Sequence, residues 1–456
     1  MKIRKVKYNN HQVLGNIELD FVNPTTGKAY DYIIFLGENG TGKTTILNTI
    51  SDYLNCVSLK PFSFIEYEAD GLNYRIEPLN DNDAPCFHKR VDLLNGNCEE
   101  IRRNKNNNRE QMYSDTKDAR SYACVLSKAR ADFATNKIST TKTSSVDTAT
   151  HEDDNQSDYT GIKQMFVDLY EKDCASFVQH NQQTGENFST YEPSTKLYRF
   201  KKAFNAFFSD IKFSKVEDKT DEKVILFEKD GKEIQIDDLS TGEKQIVYRG
   251  AYLLRNSGKM DEGTAFIDEP ELSMHPLWER KILKYFKDLY FEQESNKSKA
   301  QLFFASHSDS IVADAMNNKE NHLVIVLNNE NGSIKAKPIT SPTTLPTITA
   351  AEINYLAFGI YSVDYHIALF GYLQTLTGHN TVSSLDNYIA NSPLYNAAYE
   401  KVTSHNTTTY HSICTLIRNN IDHPDNGNTY TYDELKMSTD FLIQLIDDFK
   451  TANGIH

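Results

Sequence analysis

The sequence predicts an α/β fold in which a glycine-rich loop joins a buried strand to a helix. Residues 31–36 form a short apolar run, which is typical of a strand that is buried on both faces. Residues 37–44, GENGTGKT, follow at once and match the motif GxxxxGK[ST] in full. The helical stretch 45–54 comes next, so the loop has the strand before it and the helix after it that this motif requires.

Composition is that of an ordinary globular protein. The chain has 456 residues, of which 39% are hydrophobic and 25% charged, and this length suggests two or three domains. No apolar run approaches the roughly 20 residues that span a bilayer, and no apolar region follows the basic N-terminus, as a secretory signal would require. The six cysteines lack CxxC spacing, so neither a zinc site nor a disulfide framework is indicated. We therefore expect a cytoplasmic protein with no membrane partner.

The net charge constrains the kind of partner. The formal net charge is −14, whereas proteins that bind nucleic acid without sequence preference usually carry a basic field. We therefore expect contact with nucleic acid to be indirect, through a protein partner. The basic residues in 102–109 and 196–202 are interpreted as solvated surface, the latter on a core helix, and a nucleic-acid-binding helix is the alternative for 196–202.

The glycine-rich loop predicts a nucleotide site. Its glycines allow backbone N–H groups to curl around phosphate oxygens next to a helix N-terminus. Lys43 is expected to reach the β- and γ-phosphates, and the Thr44 hydroxyl is expected to bind Mg²⁺, so ATP and Mg²⁺ are the predicted cofactors. A glycine-rich turn without a ligand is the alternative. The residues expected to contact the nucleotide are Gly37, Asn39, Gly40, Gly42, Lys43, Thr44 and Thr45.

A second apolar run ends in two carboxylates. Residues 264–267 predict a buried strand, and Asp268 and Glu269 follow directly. Asp268 is expected to hold the magnesium ion, and Glu269 is placed to polarise the attacking water. A solvated strand end is the alternative interpretation.

Residues 239–245, LSTGEKQ, resemble the signature motif LSxGx[KR]Q of the ABC superfamily. Ser240 and Gly242 leave room for a γ-phosphate at a helix N-terminus. In that superfamily the phosphate comes from the other subunit, so the resemblance implies a homodimer or higher homo-oligomer with a composite site. Ser240 also suits a plain helix N-cap.

Residues 301–306 predict another buried strand, which delivers His307 at its end. The position of His307 in the motif order resembles that of the switch histidine of the ABC fold, which implies a contact with the γ-phosphate and a catalytic role beside Glu269. A structural histidine is the alternative. Residues 270–276, PELSMHP, resemble the D-loop of DNA-repair and defence ATPases.

The resemblance to ABC-type ATPases, of the RecF and OLD kind, covers roughly residues 1–340. The Q-loop has no clear counterpart, and Gln111 is a weak candidate for it. Leu239 lies 195 positions after Thr44, which is a longer interval than a transporter ATPase needs, and the interval lacks the heptads of a long coiled coil. The compact ATPases of overcoming-lysogenisation, retron and Septu-type defence systems remain. The whole chain looks most like the ATPase subunit of Septu-type anti-phage systems, in which an HNH nuclease partner cuts.

The expected architecture is therefore an α/β P-loop NTPase of ABC-ATPase type with a C-terminal α-helical bundle. The ATPase domain is expected over residues 1–340, with an inserted helical lobe near 95–225, and the C-terminal domain over 345–456. Polar residues dominate 136–158, so we expect an exposed loop or a poorly ordered insertion there.

The C-terminal segment contains a second candidate site. Arg418-Asn419 followed by His423 fits the Rx₄₋₆H pattern of HEPN domains, many of which are ribonucleases. In those enzymes the histidine handles protons and the arginine stabilises the phosphate. The alternative is structural, since Arg418 and Asp422 form an i,i+4 pair and Pro424 would end the helix.

Two functional hypotheses follow. In the first, the chain is an ATPase that binds and hydrolyses Mg-ATP at a dimer interface and uses the nucleotide state to control a partner nuclease, expected to be of HNH type, in anti-phage defence. In the second, it is an ATP-gated ribonuclease that uses its own Arg418 and His423. The sequence has no HNH motif of its own, so cleavage of DNA by this chain alone is not expected.

Overall fold

The computed structural model describes residues 1–80, 82–153, 159–292, 296–316, 321–340, 343–405, 408–423 and 427–455. The chain divides into two compact units, Met1–Lys337 and Pro338–His456. Each unit has its own hydrophobic core.

The first unit contains two large sheets and two smaller strand groups. Its strands are β1 (Lys2–Tyr8), β2 (Glu18–Asp20), β3 (Tyr32–Leu36), β4 (Phe62–Ala69), β5 (Leu72–Pro78), β6 (His88–Asp92), β7 (Cys98–Ile101), β8 (Cys124–Ser127), β9 (His151–Asp153), β10 (Ile211–Asp218), β11 (Lys223–Lys229), β12 (Lys232–Gln235), β13 (Gly263–Asp268), β14 (Phe291–Glu292), β15 (Lys297–Ser298), β16 (Ala300–Ser306), β17 (His322–Glu330) and β18 (Ser333–Pro338).

The helices of this unit are α1 (Lys43–Leu54), α2 (Arg109–Ser114), α3 (Thr160–Thr184), α4 (Phe188–Tyr191), α5 (Tyr198–Phe207), α6 (Thr241–Lys244), α7 (Gly250–Leu254), α8 (Pro276–Asp288) and α9 (Asp309–Met316). A π-helical turn, Gln245–Arg249, joins α6 to α7, so residues 241–254 are helical without a break.

The central sheet has the strand order β18-β17-β3-β16-β13-β8-β9. From β17 to β9 each strand is parallel to its neighbour. Strands β3, β13 and β16 are buried along their whole length, as their continuous apolar sequences predict. Because parallel strands end at one edge of a sheet, the residues that follow these three strands lie at the same edge.

An antiparallel sheet, β2-β1-β4-β5-β6-β7, packs its apolar face on the same core. Strand β1 buries Ile3 and Val6 and leaves Arg4 and Lys5, which lie between them, partly exposed at a break in the strand register. Val6 and Ile65 share one cluster with Ile33 of the central sheet and with Ile46 and Ile50 of α1. The helix that begins at the phosphate-binding loop is therefore held between two sheets.

The lobe expected near residues 95–225 differs from the prediction. Strands β8 and β9 fall inside that interval, yet both belong to the central sheet. The helices of the interval are concentrated in α3 to α5, from Thr160 to Phe207. Residues 136–150 contain no helix or strand and are mostly exposed, in agreement with the expected exposed loop, although Ile138 and Val146 are buried. Residues 154–158 lie outside the described chain. The β8 strand has only four residues, which is too short for its periodicity to be recognised.

The second unit is mainly helical. It contains α10 (Ala350–Phe358), α11 (Val363–Thr377), α12 (Val382–Ala390), α13 (Ile413–Asp422) and α14 (Tyr432–Asn453), together with the antiparallel hairpin β19 (Glu400–His405) and β20 (Thr408–Ser412). The core draws Leu369, Ile389, Ile417 and Leu442 from four of these helices. The predicted helical region is confirmed, whereas the hairpin was not predicted.

Among the described residues, no single helix has the length and apolar character to cross a membrane; only α10 and α11 taken together, with a 116° bend between them, meet those two criteria.

Candidate functional site

The phosphate-binding loop depends on two glycines that no other residue could replace. Gly37 and Gly42 have φ angles of +149° and +89°, a region that favours glycine. A Cβ atom on Gly37 would lie 2.3 Å from the carbonyl oxygen of Leu327, and one on Gly42 would lie 2.5 Å from Cδ2 of Leu14. The backbone can therefore curl at this point only with glycine at both positions.

Lys43 lies inside the curve of this loop. Its Nζ donates to the carbonyl oxygens of Gly37 at 2.6 Å and Glu38 at 2.9 Å. Burial lowers the pKa of Lys43, while the carboxylates of Glu269 and Asp268 act in the opposite direction. The loop therefore holds a buried ammonium group where an anionic phosphate would bind.

Thr44 and Asp268 meet across 224 positions of sequence. The Thr44 hydroxyl lies 3.0 Å from each carboxylate oxygen of Asp268. Burial raises the pKa of Asp268, and the hydrogen bond from Thr44 opposes that rise. Hydroxyl and carboxylate oxygens are ligands that Mg²⁺ prefers, so this pair fits a magnesium ion. Of the other predicted contacts, Asn39 and Gly40 are exposed on the loop and Thr45 is half-buried.

Glu269 follows Asp268 in a left-handed backbone conformation, with φ of +42°. Its N–H donates to the carbonyl oxygen of Ala305 at 2.8 Å, which continues the pairing of β13 with β16. For a non-glycine residue this conformation costs about 1–3 kcal/mol and is maintained only by surrounding contacts. The side chain remains partly exposed at the edge of the sheet.

Arg249 supplies those contacts. This residue is fully buried in the π-helical turn, and its guanidinium donates to the carbonyl oxygens of Asp268 at 2.7 Å and Glu269 at 3.0 Å. Its Nε donates to the Ser127 hydroxyl at 3.0 Å. Sequence analysis did not identify Arg249. The available signal was a single charge inside the otherwise apolar helical stretch 246–254.

His307 lies beside two carboxylates. Its Nδ1 is 3.6 Å from Oε1 of Glu269 and 3.5 Å from Oε1 of Glu271. Glu271 also accepts hydrogen bonds from the backbone N–H of His307 at 3.0 Å and from the Ser306 hydroxyl at 2.7 Å. The prediction noted Glu271 only as part of residues 270–276 and gave it no role.

The signature segment begins a helix. The Ser240 hydroxyl accepts from the backbone N–H of Glu243, and the Glu243 carboxylate accepts from the Ser240 N–H, which together form a capping box. A Cβ on Gly242 would lie 2.9 Å from the carbonyl oxygen of Ser273, so no side chain fits there. Ser240 and Thr241 are exposed. The helix N-cap expected at Ser240 is therefore present.

Gln111, the weak Q-loop candidate, is exposed on α2 beside the antiparallel sheet, where its carbonyl oxygen accepts from Arg103. Strand β8, which pairs with β13, ends at Ser127, and the Ser127 hydroxyl accepts a hydrogen bond from Arg249.

In the second unit, Arg418 and His423 lie at the end of α13. The Arg418 guanidinium lies 2.7 Å from Asp422 and donates to the side chain of Asn419 at 3.0 Å, as the i,i+4 alternative expects. His423 is exposed at the helix end, and Pro424 lies outside the described residues.

The segment from residue 338 carries four basic and eleven acidic side chains, a formal charge of −7 that is half of the charge of the whole chain.

A buried parallel sheet carries the glycine loop, the Thr44–Asp268 pair, Glu269 and His307 at one edge, and this arrangement defines a P-loop ATPase. The predicted α/β fold is thus confirmed. The chain belongs to the protein family described as "AAA domain, putative AbiEii toxin, Type IV TA system", which it matches over residues 72–313, more than half of its length. That segment includes the signature, Asp268, Glu269 and His307, while the glycine loop precedes it.

Several solved structures resemble the chain at low sequence identity. The SMC head domain from Thermotoga maritima is 13% identical, with a TM-score of 0.38 over 74% of this chain and 99% of that one. The Pyrococcus furiosus Smc head with an extended coiled coil, bound to the C-terminal domain of ScpA, is 14% identical, with a TM-score of 0.39 over 74% and 96%. The recombination mediator RecF is 12% identical, with a TM-score of 0.34 over 73% and 97%. No curated protein matches the chain.

Proposed function

We propose that this ATPase hydrolyses Mg-ATP at sites shared between two copies of the chain and uses its nucleotide state to control a partner nuclease in anti-phage defence. The observation that carries the ATP-hydrolysing part is the convergence of Lys43, the Thr44–Asp268 pair, Glu269 and His307 at one edge of a sheet. These groups come from three separate strand ends.

Each of these side chains has a task in the proposed reaction. Lys43 binds the β- and γ-phosphates, and its Nζ then gives up the hydrogen bonds that it now donates to the carbonyl oxygens of Gly37 and Glu38. Thr44 and Asp268 would hold Mg²⁺, which neutralises phosphate charge when bound. Glu269 accepts a hydrogen bond from the attacking water and orients it, and His307 binds the γ-phosphate from the neighbouring strand end.

A second copy would complete the site. The exposed Ser240 and Thr241 stand at the N-terminal end of a helical segment of fourteen residues, where partial positive charge favours an anion. In the described part of the chain, the Ser240 hydroxyl is bonded to its own helix and to no group of the glycine loop. This supports a γ-phosphate that comes from another copy, as the resemblance to the ABC signature implies.

The C-terminal unit favours a docking role over ribonuclease chemistry. Its charge of −7 opposes the approach of RNA, and Asp422 already pairs with the Arg418 guanidinium. An acidic surface suits a basic protein partner, and an HNH nuclease is the partner implied by the resemblance to Septu-type systems. The family description names a putative toxin of a type IV toxin–antitoxin system, which supports a role in a system whose activity harms the cell that contains it.

A mixing experiment tests the composite site. One variant, Lys43→Ala, lacks the charge that faces the phosphates. A second variant, Ser240→Arg, has a blocked signature motif. Each variant alone should therefore lack ATPase activity. When the two are mixed, dimers form in which one site has both halves intact, and ATP hydrolysis should return in part. If subunit exchange is demonstrated and no activity returns, the composite site is wrong.

The nuclease part of the proposal is tested separately. The purified wild-type chain is incubated with RNA and DNA, alone and together with any HNH protein that is encoded next to its gene. We expect cleavage only when the partner is present, and we expect the cleavage to respond to ATP. Cleavage of RNA by the chain alone would support the ribonuclease hypothesis instead.

A further inference from the structure

A buried carboxylate without an assigned role meets the histidine of the proposed site. Glu271 lies between β13 and α8 and is only 5% exposed. One of its oxygens, Oε1, lies 2.7 Å from the Ser306 hydroxyl, 3.0 Å from the His307 N–H and 3.5 Å from Nδ1 of His307. Oε2 is buried and has no hydrogen-bond partner among the described residues. All contacts of Glu271 with His307 therefore converge on one oxygen atom.

These contacts restrain both the backbone and the ring of His307. The N–H of His307 and the hydroxyl of the preceding Ser306 both donate to Oε1 of Glu271, so the backbone at the end of β16 is restrained. A histidine whose Nδ1 faces an acceptor carries its hydrogen on that nitrogen, and the opposite nitrogen is left for the ligand. Glu269 lies at a similar distance from Nδ1, so the two carboxylates are alternative acceptors for the same hydrogen.

We propose that Glu271 is a positioning residue for ATP hydrolysis: its Oε1 accepts the Nδ1 hydrogen of His307, which leaves Nε2 for the γ-phosphate and Glu269 for the attacking water. The inference rests on the proposed function, because it assigns a role within that ATP-hydrolysing site. It concerns an acceptor atom and needs no net charge on Glu271.

The environment of Glu271 is consistent with an acceptor that works in either protonation state. Burial raises the pKa of its carboxyl, and the hydrogen bonds from His307 and Ser306 oppose that rise. A proton on the orphan Oε2 would leave all contacts of Oε1 unchanged. An amide oxygen at the place of Oε1 should therefore serve as well as a carboxylate.

Three variants of the full-length chain separate acceptor, charge and general packing. Glu271→Gln keeps an oxygen acceptor, and its kcat for ATP should stay within about threefold of wild type. Glu271→Met keeps the bulk but loses the acceptor, and its kcat should fall by roughly 10- to 100-fold, the range seen when a partner that orients a ligating histidine is removed. ATP binding, measured with a fluorescent ATP analogue, should change little in both. Glu279→Gln is the matched control, because Glu279 on α8 also accepts a hydroxyl hydrogen bond from the chain that follows β16, in this case from Ser308 at 2.8 Å.

A double-mutant cycle shows whether the effect passes through His307. In a His307→Ala background, Glu271→Met should lower kcat little further, because the group that it positions is already gone. Equal losses in both backgrounds, or a loss in Glu271→Gln as large as in Glu271→Met, would overturn the proposal. If Glu271→Met fails to fold, Glu271→Gln decides: activity near wild type supports an acceptor role, and a large loss refutes it. Failure of the proposed function is a separate result, namely wild-type protein without ATPase activity that depends on Lys43.

Discussion

Replacement of Arg249 by methionine tests whether the geometry of Glu269 depends on one buried guanidinium. Methionine fills much of the volume but removes the guanidinium donor that lies 2.7 Å from the carbonyl oxygen of Asp268. The carbonyl oxygen of Glu269 loses its 3.0 Å donor but still accepts from the Leu272 N–H at 3.2 Å. One buried acceptor left unsatisfied costs about 1–3 kcal/mol, and removal of a buried charge offsets part of this cost, so we expect a free energy of unfolding lower by about 2 kcal/mol.

Catalysis should fall as well. Without the hydrogen bonds from Arg249, Glu269 can leave its left-handed conformation, and its carboxylate then no longer has a fixed position beside His307. A misplacement worth about 1.4 kcal/mol in the barrier lowers kcat tenfold, and we expect at least that loss.

The measurements are denaturant unfolding followed by circular dichroism and steady-state ATP hydrolysis. Arg255→Met is the matched control, because Arg255 follows the same helical segment but forms a partly exposed ion pair with Glu152 at 2.5 Å. Such a pair contributes about 0–1 kcal/mol, and turnover should be unchanged. If Arg249→Met has the same stability and the same ATPase activity as the control, the hydrogen bonds of Arg249 neither stabilise the fold nor hold Glu269 in place.

Three further predictions concern the two sites and the second core. Glu269→Gln should bind ATP normally but turn it over about 10²-fold more slowly or worse, since the amide cannot activate water; full hydrolysis by this variant would remove Glu269 from the mechanism. His423→Ala should leave ATPase activity and nuclease control nearly unchanged, with RNA uncut by the wild-type chain. RNA fragments that appear with wild type alone and vanish with His423→Ala would contradict this. Burial lowers the pKa of His366 to about 3. Because the unfolded state binds the proton first, this residue should reduce the free energy of unfolding by about 1.4 kcal/mol per pH unit as the pH falls below about 6.5. The free energy of unfolding of His366→Gln should differ less between pH 6.5 and pH 5 than that of the wild type. An equal difference in both proteins would show that His366 does not titrate in this way.

The sequence was sufficient where the chemistry is local. The three apolar runs at 31–36, 264–267 and 301–306 predicted buried strands, and β3, β13 and β16 are neighbours whose ends meet. The spacing of glycines in residues 37–44 reflects backbone conformations that only glycine adopts easily. Such features are set by a few consecutive residues, and a single sequence reveals them.

The missed features depend on contacts between distant segments. Nothing near Arg249 in the sequence indicates that its guanidinium reaches the carbonyl oxygens at the end of β13. Glu271 follows two acidic residues and a proline, so its burial against Ser306 could not be predicted from position alone. The hairpin β19–β20 is short and rich in threonine, and its pairing became visible only in three dimensions.

The close approach of Gly242 to the carbonyl oxygen of Ser273 has a mechanical consequence. With room for no more than a hydrogen atom, a movement of the start of the signature helix toward the loop that follows β13 must displace that loop. The same loop contains Glu271, which accepts a hydrogen bond from the backbone N–H of His307. In an assembly of two copies, the pressure of a neighbour on Ser240 would thus reach the far strand end of the same chain as a rigid displacement, with no change of secondary structure on the way.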